Sequence, residues 1–335
     1  MFATNARVNL AIEQINRAGK EGRPFFFALD YELTELILWL DPACTSPPVE
    51  GLCFRVGEIC GGLESRSLVV PRILSFSPEG EEVYAHRFEV VYRALERGDS
   101  FLANLTLRTP IELSGGLEDV FAHTRARYQV LYPNRFVCFS PESFVHIAPS
   151  GELTAYPMKG TIDAALPDAQ MRILSDYKED AEHYTIVDLM RNDLNRVGRR
   201  THVRRFKYLD RLTTTRGPIL QMSSEVVTQL SEGWSSRLGD ILLSLLPAGS
   251  ISGAPKAKTC EVIEQAEACP RGFYTGICGY FDGAGLDTGV MIRYIEQQGR
   301  EFFYRSGGGI TINSQMKEEY QECLQKIYLP LNSDL

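Results

Sequence analysis

The sequence predicts an α+β protein whose strands pair mostly antiparallel and are flanked by helices. Three observations predict it. Strand-like segments follow one another directly or alternate irregularly with helices, without the regular βαβ series that builds a parallel sheet. The composition, 44% hydrophobic and 23% charged over 335 residues, is that of an ordinary globular chain. No internal repeat, low-complexity tract or long linker marks a domain boundary, and a chain of this length buries about three quarters of its unfolded surface without needing staples.

The elements follow in order. Ala3–Ala18 carries helical periodicity through Val8, Leu10, Ile12 and Ile15 and stops at Gly19. Phe25–Tyr31, Thr34–Leu40 and Leu52–Val56 are aromatic and aliphatic runs separated by turn residues, which predicts strands. Glu82–Arg97 is helical until Gly98-Asp99-Ser100 breaks it. Phe101–Thr109 is a strand and Leu117–Tyr128 a helix. Arg135–Ile147 and Leu153–Met158 pair across Pro149-Ser150-Gly151. Asp168–Val197 is a long helical stretch open to interruption. Val203–Tyr208 and Ile219–Leu230 are strands, and Ser236–Leu246 is a helix ended by Pro247. Ala254–Ala268 is a helix after a Gly/Ser loop. Thr275–Phe281, Thr288–Glu296 and Glu301–Arg305 form a strand series, Gly307-Gly308-Gly309 leads into Ile310–Ile312, and a last helix runs from Ser314 to Tyr328.

Composition excludes several classes. The net charge is −8, from 35 basic and 43 acidic residues, so nucleic acid is a poor partner. The longest apolar stretches, such as Ile241–Leu246, are far short of the ~20 residues that span a bilayer, and the N-terminus has no secretory apolar core. The eight cysteines include no CxxC pair and lie in apolar segments, which reads as reduced core residues of a cytosolic protein. The five histidines are isolated, so a hydrolase triad has no support in the sequence.

Four constellations carry candidate chemistry. Glu179 with Glu182, and Glu319 with Glu322, are i,i+3 pairs on helices and share a face. Two such pairs meeting across a cleft would hold a hard cation such as Mg²⁺, although such pairs are more often a solvated helix face. Pro247–Lys256 is a loop before a helix whose free N–H groups suit an anion, though a plain connection explains it as well. The three glycines 307–309 permit close backbone approach and suit either a bulge or a backbone carboxylate site. Lys159, between Met158 and Gly160 at a strand end, would act as a nucleophile only if held as the free amine; alone it reads as a surface lysine.

Taken together, these segments resemble the chorismate-utilising enzymes. The stretches that carry the resemblance are FSPESF (139–144), YPMKGT (156–161), KEDAEHYTIVDLMRNDLNRVG (178–198), PAGSISGAPK (247–256), RGFYTGICGYFD (271–282), MIR (291–293), SGGGITINS (306–314) and EEYQE (318–322). They keep the family's order over roughly 140 to 325, whereas residues 1–80 resemble it only loosely. The resemblance implies a single large domain over 1–335, with 81–328 as catalytic core. It implies a two-sheet, mostly antiparallel sandwich flanked by helices, with the site in a cleft. Glu182 and Glu322 match Mg²⁺-binding carboxylates, supported by Glu179 and Glu319. Tyr274, Arg293 and the backbone of Gly307, Gly308 and Gly309 match groups that receive the substrate carboxylates. Ser250 sits where the family usually has Thr. Glu142 matches the acid expected to protonate a departing C4 hydroxyl.

Two positions discriminate within the family. Anthranilate synthases usually carry Ala at position 159, whereas aminodeoxychorismate synthases carry a Lys thought to attack C2 of the ring. Isochorismate and salicylate synthases need a lysine base whose place here is Leu102. The resemblance therefore implies aminodeoxychorismate synthase component I activity: chorismate and ammonia give 4-amino-4-deoxychorismate, toward 4-aminobenzoate and folate. The chain has no room for a glutaminase domain beyond the family core, so the ammonia is expected from a separate glutaminase subunit. Anthranilate synthase component I is the first rival reading, and a non-catalytic chorismate-binding regulator the second. Met222, expected where the family often has a substrate-facing His, favours the latter. The tryptophan-feedback motif of anthranilate synthases is not recognisable.

Overall fold

The computed structural model describes residues 3–62, 69–175, 177–214, 217–267 and 269–331. The chain runs α1 (Ala6–Glu21), β1 (Phe25–Leu29), β2 (Leu36–Leu40), β3 (Cys53–Val56), β4 (Ile59–Gly61), β5 (Arg72–Phe76), α2 (Glu81–Glu96), β6 (Leu102–Ser114) and α3 (Leu117–His123). It continues through β7 (Tyr128–Tyr132), β8 (Phe136–Ser140), β9 (Ser143–Ile147), β10 (Glu152–Ala155), β11 (Met158–Asp163), α4 (Ala169–Ser175), α5 (Tyr177–Val197), β12 (Arg199–Thr214) and β13 (Gly217–Gln229). A 3₁₀ turn (Trp234–Arg237) leads into α6 (Leu238–Leu245), β14 (Gly253–Ala254) and α7 (Lys256–Ala266). Strands β15 (Ile277–Phe281), β16 (Leu286–Val290), β17 (Tyr294–Gln298) and β18 (Glu301–Ile310) precede α8 (Met316–Gln325).

Two nine-stranded sheets result. One has the order β11-β13-β10-β9-β16-β15-β1-β2, with β12 beside β13. The other has the order β14-β6-β18-β17-β8-β7-β3-β4, with β5 beside β6. The pairings are antiparallel, for example Phe27 with Gly279 and Gly308 with Leu105.

Strand alternation sets the layers. In β1 all five residues are buried, because both faces of the strand are covered. Phe25, Phe27 and Leu29 join the cluster with Val8, Ile12 and Ile15 of α1 and Leu242 of α6. Phe26 and Ala28 point the other way, among Phe54, Tyr128, Phe136 and Tyr294 between the sheets. Helices α2, α7 and α8 cover the far face of the second sheet through Tyr84, Val91, Val262 and Tyr320. Helix α1 starts at Asn5, whose side chain accepts from Val8 N at 3.0 Å, and ends at Gly22, a residue in the left-handed region.

Several expected elements differ. The helix expected over 117–128 ends at His123, and Tyr128 opens β7. Thr124 takes extended backbone and bonds its hydroxyl to Val120 O at 2.7 Å, closing the helix early. The single strand expected over 288–296 is two: β16 lies in the first sheet and β17 in the second, with Arg293 at φ +52° in the crossing. The glycine triplet lies inside the unbroken β18, not between strands and not in a bulge, since Phe302–Ile310 pair continuously with β6. All eight cysteines are free, but Cys44 and Cys60 are exposed and Cys269 is half-buried, so only five belong to the core.

The loop 247–256 is a structural lock. Lys256 is buried, with its Nζ 2.6 Å from Asp193 of α5 and 2.6 Å from Leu245 O. The start of α7 does not line the cavity described below, whereas Ser250 and Ile251 of the same loop do. Burial pushes the Asp193 carboxyl up and the Lys256 amine down, while each partner opposes the shift in the other. Removing one member leaves the other charge buried and uncompensated. Asp193→Asn is expected to destabilise the fold by about 3–5 kcal/mol in denaturant unfolding, and pairing an apolar residue at 193 with Lys256→Met is expected to recover part of the loss.

Candidate active site

A cavity of about 460 Å³ opens between the two sheets, within the usual size of a small-molecule site. The first sheet contributes Phe144, Ala155, Met158, Gly160, Thr161 and Gln221, and the second contributes Asn104 and Arg305 to Gly309. Helix α5 supplies Glu179 and Glu182, and α8 supplies Glu319 and Glu322. The two acidic pairs, far apart in sequence, therefore face one space. Glu182 and Glu319 are buried, at 8% and 2% exposure, which a solvated helix face does not explain.

The second sheet brings its glycines against these acids. A Cβ at Gly308 would stand 3.4 Å from Glu319 Oε2 and 3.8 Å from Glu322 Oε1, and one at Gly307 would stand 2.8 Å from Leu105 O. A Cβ at Gly307 would push into the neighbouring strand and one at Gly308 would touch the carboxylate wall, and with glycine at both positions bare backbone borders the cavity here. Gly160, at φ +78°, likewise brings β11 against Glu179, whose Oε2 is 3.0 Å from the site of a Cβ.

Glu142 sits in the turn between β8 and β9. Its N–H donates to Ser140 Oγ at 3.1 Å and its carbonyl accepts from Val290 N at 3.0 Å. Ser250 Oγ donates to Glu142 Oε1 at 2.6 Å. Tyr274 lies before β15, buried, its ring 5.7 Å from that of Tyr294; burial pushes its phenol well up, so it stays a neutral donor. Arg293 lies over the Tyr328 ring at 5.0 Å and donates to Lys326 O at 3.4 Å. Arg305 is spent on structure: it donates to Glu296 at 2.9 Å and to Pro270 O at 3.0 Å.

All the expected site residues whose side chains are described line this one cavity: Glu142, Glu179, Glu182, Ser250, Tyr274, Arg293, Gly307, Gly308, Gly309, Glu319 and Glu322. The backbone of Lys159 runs in β11, but its side chain lies outside the described residues. Leu102, the position expected to carry a lysine base in an isochorismate synthase, is buried in the apolar cluster and pairs with Ala254.

Residues that sequence reasoning missed also line the cavity. Lys326 Nζ is 2.7 Å from Glu322 Oε1 and donates to Gly307 O at 2.7 Å, so one cation ties α8 to the glycine strand. Its signal was present as a Glu→Lys i,i+4 pair. Gln221, not Met222, faces the cavity; neighbouring strand residues point to opposite faces, and Met222 is fully buried outside the cavity wall. Met222→Ala is therefore expected to cost about 2–5 kcal/mol of stability. Gln221→Ala is expected to leave unfolding unchanged and alter only ligand kinetics. A buried Ser–His contact does exist, His183 Nε2 to Ser224 Oγ at 2.7 Å, but neither residue lines the cavity.

A cleft that joins four carboxylates, an acid, three cations and bare strand backbone suits a small, oxygen-rich ligand. The chain belongs to the chorismate binding enzyme family, whose match covers residues 64–332. It is 47% identical over 321 residues to an uncharacterized PabA-like protein of Pasteurella multocida, covering 96% of this chain and 98% of that one. It is 31% identical over 322 residues to aminodeoxychorismate synthase component 1 of Bacillus subtilis, covering 89% of this chain and 67% of that protein. It is 34% identical over 263 residues to anthranilate synthase component 1 of Haloarcula marismortui, covering 73% and 52%. The fold matches the menaquinone-specific isochorismate synthase of Escherichia coli with a TM-score of 0.72 at 16% identity, over 97% of this chain and 81% of that one. Among the described residues, no helix is long and apolar enough to cross a membrane.

Proposed function

We propose that this member of the family aminates chorismate at C4, as an aminodeoxychorismate synthase component I, with ammonia from a separate glutaminase subunit. The observation that carries the reading is Lys159 on β11, the strand that borders the cavity through Met158, Gly160 and Thr161. In this reading Lys159 bonds to C2 as the C4 hydroxyl leaves. Glu142 gives that hydroxyl its proton, so it departs as water. Ammonia then bonds to C4, the bond from Lys159 to C2 breaks, and Glu142 takes back a proton from the new ammonium. One hard displacement becomes two easier ones. The buried Leu102 speaks against water activation.

Mg²⁺ fits the donor chemistry of Glu179, Glu182, Glu319 and Glu322, which offer only hard oxygens. Among the described residues no group of three or more acids, histidines or cysteines is close enough to hold an ion unaided. Mg²⁺ typically takes one or two carboxylates and fills its shell with water and ligand oxygens. When bound, it would supply positive charge to the substrate's carboxylate. Tyr274, Arg293 and Lys326 would orient the dianion, and the glycine backbone would let it approach closely.

Anthranilate synthase activity is the second reading, supported by the similarity to the Haloarcula protein. Incubation with chorismate, ammonium and Mg²⁺ separates the two. A non-fluorescent 4-amino product supports the proposal, and fluorescent anthranilate supports its rival.

A further inference from the structure

We propose that Ser250 is a positioning residue for Glu142, fixing the orientation of its carboxylate from the neighbouring loop, and is not itself a ligand of the substrate's carboxylates. The inference rests on the reading of Glu142 as proton donor to the departing hydroxyl.

Ser250 has one hydroxyl proton, and it is committed to Glu142 Oε1 at 2.6 Å. The substrate's carboxylates and ether oxygen only accept hydrogen bonds. A serine that donates to Glu142 has nothing left to donate to them. Bonds of the O–H to carboxylate type are also among the stronger ones, so the substrate gains little by competing.

Both ends of this bond are fixed by the fold. Glu142 is held through its backbone by Ser140 Oγ and Val290 N, at 3.1 and 3.0 Å. Ser250 rides a loop that Ser252 Oγ closes on Ala248 O at 2.8 Å. The same loop is tied by Arg271, a buried residue that donates to Ile251 O at 2.8 Å and to Asn104 O at 2.7 Å. A carboxylate held from a rigid loop keeps one orientation.

The bond also strengthens when it is needed. As the proton passes from Glu142 to the leaving oxygen, negative charge develops on the carboxylate that Ser250 already contacts. An interaction stronger in the transition state than in the ground state raises kcat without tightening substrate binding.

The test compares Ser250→Ala and Ser250→Thr in the full chain with chorismate, ammonium and Mg²⁺. Ser250→Ala is expected to lower kcat by about ten- to a hundredfold, with KM for chorismate within about twofold of the parent. Ser250→Thr, which restores the hydroxyl, is expected to recover most of kcat. A raised KM at unchanged kcat would make Ser250 a substrate ligand and overturn the proposal, as would no change in either constant. Infrared spectra supply a readout independent of turnover. The carboxylate band lost in Glu142→Gln is expected to shift in Ser250→Ala and return in Ser250→Thr; an unshifted band also overturns the proposal. If the parent chain makes no aminated product, the functional reading fails, while the infrared comparison still decides whether Ser250 holds Glu142.

Discussion

Lys159→Ala is expected to lower the amination of chorismate by dilute ammonia by about 10³-fold or more, the scale of losing a covalent nucleophile. The argument is chemical. Expelling the C4 hydroxyl by direct attack of ammonia asks a dilute, weak nucleophile to displace a poor leaving group in one step. A lysine anchored on β11 is always present at high effective concentration, and its departure from C2 drives the second displacement. Lys159→Arg sharpens the test, because it keeps the positive charge but removes the amine nucleophile. Both variants are expected to retain chorismate binding by calorimetry, since the cavity keeps Arg293, Lys326 and the glycine strand. Normal turnover in Lys159→Ala would remove the covalent role.

Glu182→Gln and Glu322→Gln should each abolish the Mg²⁺ dependence of chorismate binding, weakening it by about 10²-fold at saturating Mg²⁺, and turnover should fall with it. The two acids come from different helices, α5 and α8, and line one cavity. An amide keeps the shape but offers the cation no charge. Glu322→Gln carries a further consequence, because Lys326 loses the anion 2.7 Å away and is left to the Gly307 carbonyl. Its chorismate affinity without Mg²⁺ is therefore expected to rise above the parent's. Calorimetric titration of chorismate with and without Mg²⁺ reads both effects. Parent-like, Mg²⁺-dependent binding in Glu182→Gln would refute the ligand assignment.

Much of this architecture was legible in the sequence where pattern and physics agree. The apolar period of α1 and the aromatic run of β1 follow from residue spacing alone, whereas the helix starts after Asn5, later than the expected Ala3. The acidic pairs were visible as pairs, but spacing could not show that α5 and α8 face each other across a cavity. That juxtaposition depends on the antiparallel pairing of β18 with β6 and on α8 folding back over the glycines. The glycine triplet was legible as close approach but not as continuous strand, because the partner strand that keeps it extended is some two hundred residues earlier. The split between β16 and β17 was hidden for a similar reason: an apolar run that crosses between sheets shows no local break except Arg293 at positive φ. The misplacement of the cavity-facing residue at Met222 was an error of one position, which in a strand reverses the face.

The most direct test of the functional reading is the mass of the product formed from chorismate, ammonium and Mg²⁺ by the purified chain. The account predicts a product in which one hydroxyl has become an amino group and the enolpyruvyl group is retained, with no anthranilate fluorescence. Anthranilate, or chorismate recovered unchanged with ammonia and Mg²⁺ in excess, would contradict it.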